Sequence, residues 1–131
     1  MAGSAFWFLM LPFSAGSQPR VTPADARRLV LAILPAEAAK DRYLRIDLDR
    51  EHDQCAVYHA YGLPPGAGLT FTLGWFSVDN RTAEVWDELQ FDRVKNQTVA
   101  ALQRGIRKRL RVTDAEVLKS ISRPCYKRGS K

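Results

Sequence analysis

Two cysteines and two histidines are all that this 131-residue chain offers to thiol or metal chemistry. A structural zinc site draws four ligands from closely spaced Cys and His pairs. Here His52 and His59 only flank Cys55, and no CxxC pair exists. The chain also lacks a glycine-rich phosphate loop, an HExxH helix and a GxSxG elbow, so no cofactor, metal ligand or catalytic residue can be named from a motif. No apolar run approaches the ~20 residues that cross a bilayer. Internal repeats and low-complexity segments are missing too. These shortages point away from an enzyme and toward a single binding domain, since this length supports one core and not two.

Charge is unevenly shared. The first hundred residues carry 10 Lys/Arg against 12 Asp/Glu, whereas the last 31 carry 10 against 2. The basic character therefore belongs to the C-terminal quarter. Cys55 and Cys125 are either two separate thiols or a disulfide, and a disulfide would indicate an oxidising compartment. Residues 5–13, AFWFLMLPF, followed by Ser14-Ala15-Gly16-Ser17, have the length of a signal-peptide core and a small-residue exit. The positive n-region is wanting, because the first cation is Arg20. Residues 1–20 thus read as an apolar N-terminal arm or a leader remnant, and residues 21–131 as one α+β domain. The leader reading implies a periplasmic or exported protein, and the arm reading a cytoplasmic one.

Thr22-Pro23-Ala24-Asp25 starts a helix: Thr22 can cap, Pro23 suits the first turn and Asp25 sits where a capping box wants an acid. Ala26, Leu29, Val30, Ile33 and Leu34 follow at helical spacing, and Pro35 ends the run. Residues 43–49 and 55–61 alternate as strands. Residues 69–78 alternate too, with a one-residue phase slip at Gly74 that predicts a bulge. Asp79-Asn80-Arg81-Thr82 makes a turn, and residues 82–89 return as the fourth strand. Between the second and third strands, GLPPGAG at residues 62–68 is a stiff loop. Val99, Leu102, Ile106 and Leu110 stripe a helix. Thr113-Asp114-Ala115-Glu116 caps a shorter one that Pro124 stops. The expected fold is α+β, of a cystatin-like kind: an N-terminal helix packed on a four-stranded antiparallel meander, followed by two C-terminal helices.

Four constellations invite functional readings. Asp47, Asp49, Glu51 and Asp53 alternate like calcium ligands, but an EF-hand loop counted from Asp47 would need glycine where His52 stands and glutamate where Tyr58 stands. They read instead as a solvated strand face. Cys55 or Cys125 could pair with His52 or His59 as a nucleophile and base, yet no nucleophile signature surrounds either cysteine. Adjacent Asp87 and Glu88 point to opposite faces of a strand, which disfavours a catalytic carboxylate pair. Arg104, Arg107, Lys108, Arg109 and Arg111 line one helix, with Lys127, Arg128 and Lys131 behind, and such a patch can bind nucleic-acid phosphates. Aromatic residues are not interleaved with these cations, and late-helix cations also complement the helix dipole. The loop after Tyr61, with Leu63, Pro64 and Pro65, is apolar at its tip and loses little entropy on binding. Tyr58, Tyr61 and Trp75 near it are hot-spot residue types.

The turn VDNRTAEVWD at residues 78–87 resembles the hairpin of small secreted bacterial domains of the PepSY-like kind, with Ala83 where that turn usually has glycine. Together with LQRGIRKRL at residues 102–110, it is similar to periplasmic immunity proteins that neutralise cell-wall amidases delivered by type VI secretion. The resemblance implies a non-catalytic inhibitor that occupies an effector's cleft. It identifies no contact residue. Residue chemistry nominates Tyr61, Leu63, Pro64 and Pro65 together with the Asp79, Asn80, Arg81 turn as the protein-binding surface. The basic helix is the nucleic-acid alternative.

Overall fold

The computed structural model describes residues 3, 19–64, 66 and 68–128. The apolar segment 5–13 and Pro65 lie outside them, as does Lys131. Helix α1 (Pro23–Ile33) begins as its sequence predicts. Thr22 accepts from the Asp25 N–H, and the Asp25 carboxylate accepts from the Thr22 N–H. Leu34, before Pro35, is already extended. One short helix follows, α2 (Ala36–Ala39). The sheet then runs β1 (Leu44–His52), β2 (Cys55–Gly62), β3 (Phe71–Asp79), β4 (Val85–Asp87) and β5 (Asp92–Arg93). Helices α3 (Gln97–Leu110) and α4 (Asp114–Ser122) and a 3₁₀ turn (Cys125–Lys127) complete it.

The sheet is an antiparallel meander in the order β1-β2-β3-β4-β5, so it has five strands rather than the expected four, with β1 as a long edge. The expected strand over residues 82–89 contracts to Val85–Asp87 because Asp79 holds a wider turn. Its carboxylate accepts from the N–H groups of Arg81 and Thr82 at 2.8 and 2.9 Å. Its carbonyl accepts from Ala83, which takes a left-handed φ of 63°. That conformation explains the glycine preferred there in the resembling hairpins.

Helices α1 and α3 cover one face of the sheet. Ala26, Leu29 and Val30 of α1 and Val99, Ile106 and Leu110 of α3 pack with Leu44, Ala56, Tyr58, Ala60, Phe76, Val78 and Val85. The predicted slip in β3 is a bulge. Ala60 pairs with Gly74 and Tyr61 with Thr72, which leaves Leu73 as the extra residue beside the glycine. Gly74 is needed for a packing reason: a Cβ there would stand 2.6 Å from the Phe76 ring. The bulge lets Phe71 and Leu73 ahead of it, and Phe76 and Val78 beyond it, all serve the helical side. Trp75 is thereby sent to the opposite face.

On that opposite face Cys55 and Cys125 form a disulfide, with Cα atoms 5.9 Å apart. The bridge resolves the cysteine alternatives and ties the 3₁₀ turn down over Trp86, making a second, smaller core. The remainder of the face, around His59, Tyr61 and Trp75, is half-buried, and no helix among the described residues covers it.

Candidate protein-binding surface

The connection from β2 to β3 leaves the body at Leu63, whose N–H donates to Tyr43 O at 3.2 Å. Gly66 and Gly68 take left-handed φ values of 77° and 62°, which a side chain would resist. Leu63, Leu69 and Phe71 are exposed by 45%, 76% and 48%, so this end of the sheet presents three apolar side chains to solvent. Phe71 lies across Gly62, where a Cβ would meet the ring at 2.4 Å.

Beside this loop the uncovered face carries a stack of rings. His59 lies parallel on Trp75, with centroids 3.8 Å apart and planes 4° off, and Tyr61 stacks on His59 at 4.7 Å. Cross-strand pairing builds the stack, since Asp47 faces His59 and His59 faces Trp75. Polar contacts hold the rings: His59 Nε2 and Thr72 Oγ1 are 2.9 Å apart, and the Tyr61 hydroxyl donates to Asp47 at 2.5 Å. That hydrogen bond to Asp47, with lesser help from desolvation, pushes the Tyr61 phenol above its usual range. Two-residue alternation shows that Tyr61 and His59 share a face. Trp75 joins them only through the bulge, and Asp47 only through the β1–β2 register. Sequence reasoning therefore missed the row, though it flagged Tyr61 and Trp75 as residue types.

The other half of the predicted surface lies elsewhere. Residues 79–81 stand at the far end of β3 from the loop, about 26 Å away at the usual strand rise. Their turn is interior rather than a protruding wedge. Asp79 and Asn80 are 3% and 8% exposed. Asp79 accepts from Ser120 and from Arg128, both at 2.9 Å. Arg81 binds Glu116 and donates to Leu110 O at 2.9 Å. Burial would raise the Asp79 carboxyl, but hydrogen bonds from Thr82, Arg81, Ser120 and Arg128 outweigh it and hold the group below the ordinary carboxylate range. A cleft of about 270 Å³ opens here; Asp79, Ser120 and Arg128 in its lining are hydrogen-bonded to one another, and Gln54 and Lys119 line it as well.

The basic helix is also partly consumed. Arg107 donates to the fully buried Glu84 at 2.5 Å and to Thr82 O at 2.7 Å, and Arg93 grips the same carboxylate at 2.6 Å. Arg109 reaches across to Asp25 of α1. Of the five candidate phosphate ligands, Arg104, Lys108 and Arg111 are exposed and not held in these ion pairs. Both sulfurs are in the disulfide, so neither Cys55 nor Cys125 is a thiol nucleophile beside His52 or His59. Among the described residues, no three His, Cys, Asp or Glu side chains converge on a metal position. No helix among them is long and apolar enough to cross a membrane.

No protein-family model and no curated protein sequence matches the chain. A chain of a type VI secretion system effector–immunity complex from Pseudomonas protegens is similar in structure, with a TM-score of 0.62 over 79% of this chain and 88% of that one. The two are 21% identical, and the likeness is one of fold.

Proposed function

We propose that this chain is a non-catalytic immunity protein that binds and blocks a bacterial effector enzyme delivered by type VI secretion. The effector is a cell-wall-degrading hydrolase, such as an amidase. The observation that carries this reading is the fold shared with a chain of an effector–immunity complex, joined to a rigid sheet that offers an apolar loop and an uncovered aromatic face. Leu63, Pro64 and Tyr61, with Pro65 in the same loop, form the wedge. His59 and Trp75 extend the contact along the sheet. A loop limited by proline and a face held by cross-strand bonds lose little entropy on docking. The buried cysteines, joined to each other, and the mutual pairing of Asp79, Ser120 and Arg128 favour binding over catalysis. A disulfide fits an oxidising compartment, which supports a periplasmic site of action.

The test is co-expression with the product of the neighbouring gene, followed by co-purification and a peptidoglycan-hydrolysis assay. The expected result is a stoichiometric complex in which hydrolysis is abolished. No partner among envelope hydrolases, together with tight and salt-sensitive RNA binding, would overturn the proposal in favour of the basic helix.

A further inference from the structure

The aromatic row on the uncovered face is bounded by acids. Asp47 faces His59 across β1 and β2, and His59 faces Trp75 across β2 and β3. On the far side, Glu88 donates its N–H to Trp75 O at 2.8 Å, and alternation from Trp86 carries Glu88 onto the same face. The row thus reads Asp47, His59, Trp75, Glu88. It carries no lysine or arginine, although the chain as a whole has a net charge of +6. His59 covers one face of the Trp75 indole. Among the described residues, no ring other than His59 and no cation is recorded stacked on that indole. The buried Glu88 Oε1 accepts no hydrogen bond within the protein, an unusual state for a carboxylate oxygen.

The same face shows what completes such an arrangement. One row along, the Arg128 guanidinium lies 5.9 Å from the centre of the Trp86 ring and donates to Asp79 at 2.9 Å. Indole, carboxylate and guanidinium are all supplied from within. At Trp75 the indole and the carboxylate are present, while the guanidinium of Arg93, on β5, is committed to Glu84.

We infer that Trp75 and Glu88 receive an arginine side chain of the protein partner, its guanidinium stacked on the indole and donating to the carboxylate. This rests on the reading of the face as a protein-docking surface and gives that surface its charge preference. The recognised feature is a cationic projection on the partner. Cation–π attraction is strongest over tryptophan, and arginine stacks and donates together.

N-acetyl-arginine methylamide tests the slot without any effector. Titrated into the ¹⁵N-labelled protein, it is expected to shift the Trp75 indole N–H and the amides of Trp75 and Glu88 saturably, whereas the neutral citrulline analogue does not. Trp75→Leu is expected to abolish the response, and Glu88→Gln to weaken it about tenfold. Equal responses to arginine and citrulline would overturn the inference, as would an arginine response unchanged in both variants. Should Trp75→Leu lose its fold, the isosteric Glu88→Gln decides alone. An effector bound equally well by wild type and Glu88→Gln would also refute the slot while leaving the immunity reading intact. A missing effector would refute the immunity reading whatever the titration shows.

Discussion

Arg109, in the last turn of α3, donates to the carboxylate of Asp25, the residue that closes the capping box of α1. A single buried carboxylate therefore caps one helix and fastens it to another. Burial would raise its pKa, but hydrogen bonds from Arg109, Thr22 and Arg28 hold it well below the usual carboxylate range. Asp25→Ala is expected to cost about 1–2 kcal/mol from the lost cap and the unpaired cations, read as a lower urea midpoint with an unchanged slope.

Acid should weaken the fold through three carboxylates. Asp25, Asp79 and Glu116 are all held below their ordinary values, Glu116 by the Thr113 N–H and by Arg81. A carboxyl depressed in the folded state contributes stability that is complete above its unfolded value. That stability is lost as pH falls through the folded value. The melting temperature should hold steady from neutral pH to about 5 and drop progressively below about 4. Asp79→Asn should lower the neutral plateau and flatten the acid slope, and thermal scans across pH check both.

The helix cations divide into structural and surface sets. Arg107→Glu would set a second acid against the fully buried Glu84, with an expected loss of about 3 kcal/mol or more. The triple change of Arg104, Lys108 and Arg111 to Glu should keep the melting curve near wild type and leave effector inhibition within about twofold. That triple variant separates protein binding from nucleic-acid binding, because Arg107 and Arg109 are held in structural ion pairs. Inhibition lost with the fold intact would count against loop-mediated docking.

The Cys55–Cys125 bridge spans 70 residues. Loop-closure entropy gives it about 4 kcal/mol of stabilisation. Thiol titration under denaturing, non-reducing conditions should find no reactive sulfhydryl. Cys125→Ser should lower the urea midpoint and raise the solvent exposure of Trp86, detectable by fluorescence quenching.

Leu63 and Leu69 are already exposed, so replacing both with Asp should change stability by less than about 0.5 kcal/mol. If the loop is the wedge, effector affinity should fall at least about tenfold, measured by calorimetry. Unchanged affinity would move the contact away from the loop.

Local chemistry made both capping boxes, the Gly74 slip and the helix stripe readable from sequence, since each depends on residues within a turn or two. The Asp79 turn was misjudged because its partners, Ser120 and Arg128, come from 41 and 49 residues downstream. A polar turn looks solvated until something remote buries it. Arg107 and Arg109 were misread likewise, their acids lying 23 and 84 residues away. The two-residue β5 carries too little alternation to register as a strand. The aromatic row depends on the pairing register of three strands, which composition cannot supply. On the candidate surface, residue type found Tyr61, Leu63 and Trp75 but not their arrangement.

The long edge at β1 bears on how the molecule can meet others at all. An unpaired strand is an open invitation to further strands, and through them to aggregation. Here Arg45, Asp47, Arg50 and Glu51 line the edge, and the register shift between Leu48 and Arg50 breaks its flatness with an extra residue, Asp49. A strand from another chain would find mismatched spacing and a run of charged side chains. The charges and the irregular spacing make sheet extension along β1 unfavourable, a safeguard against edge-to-edge association.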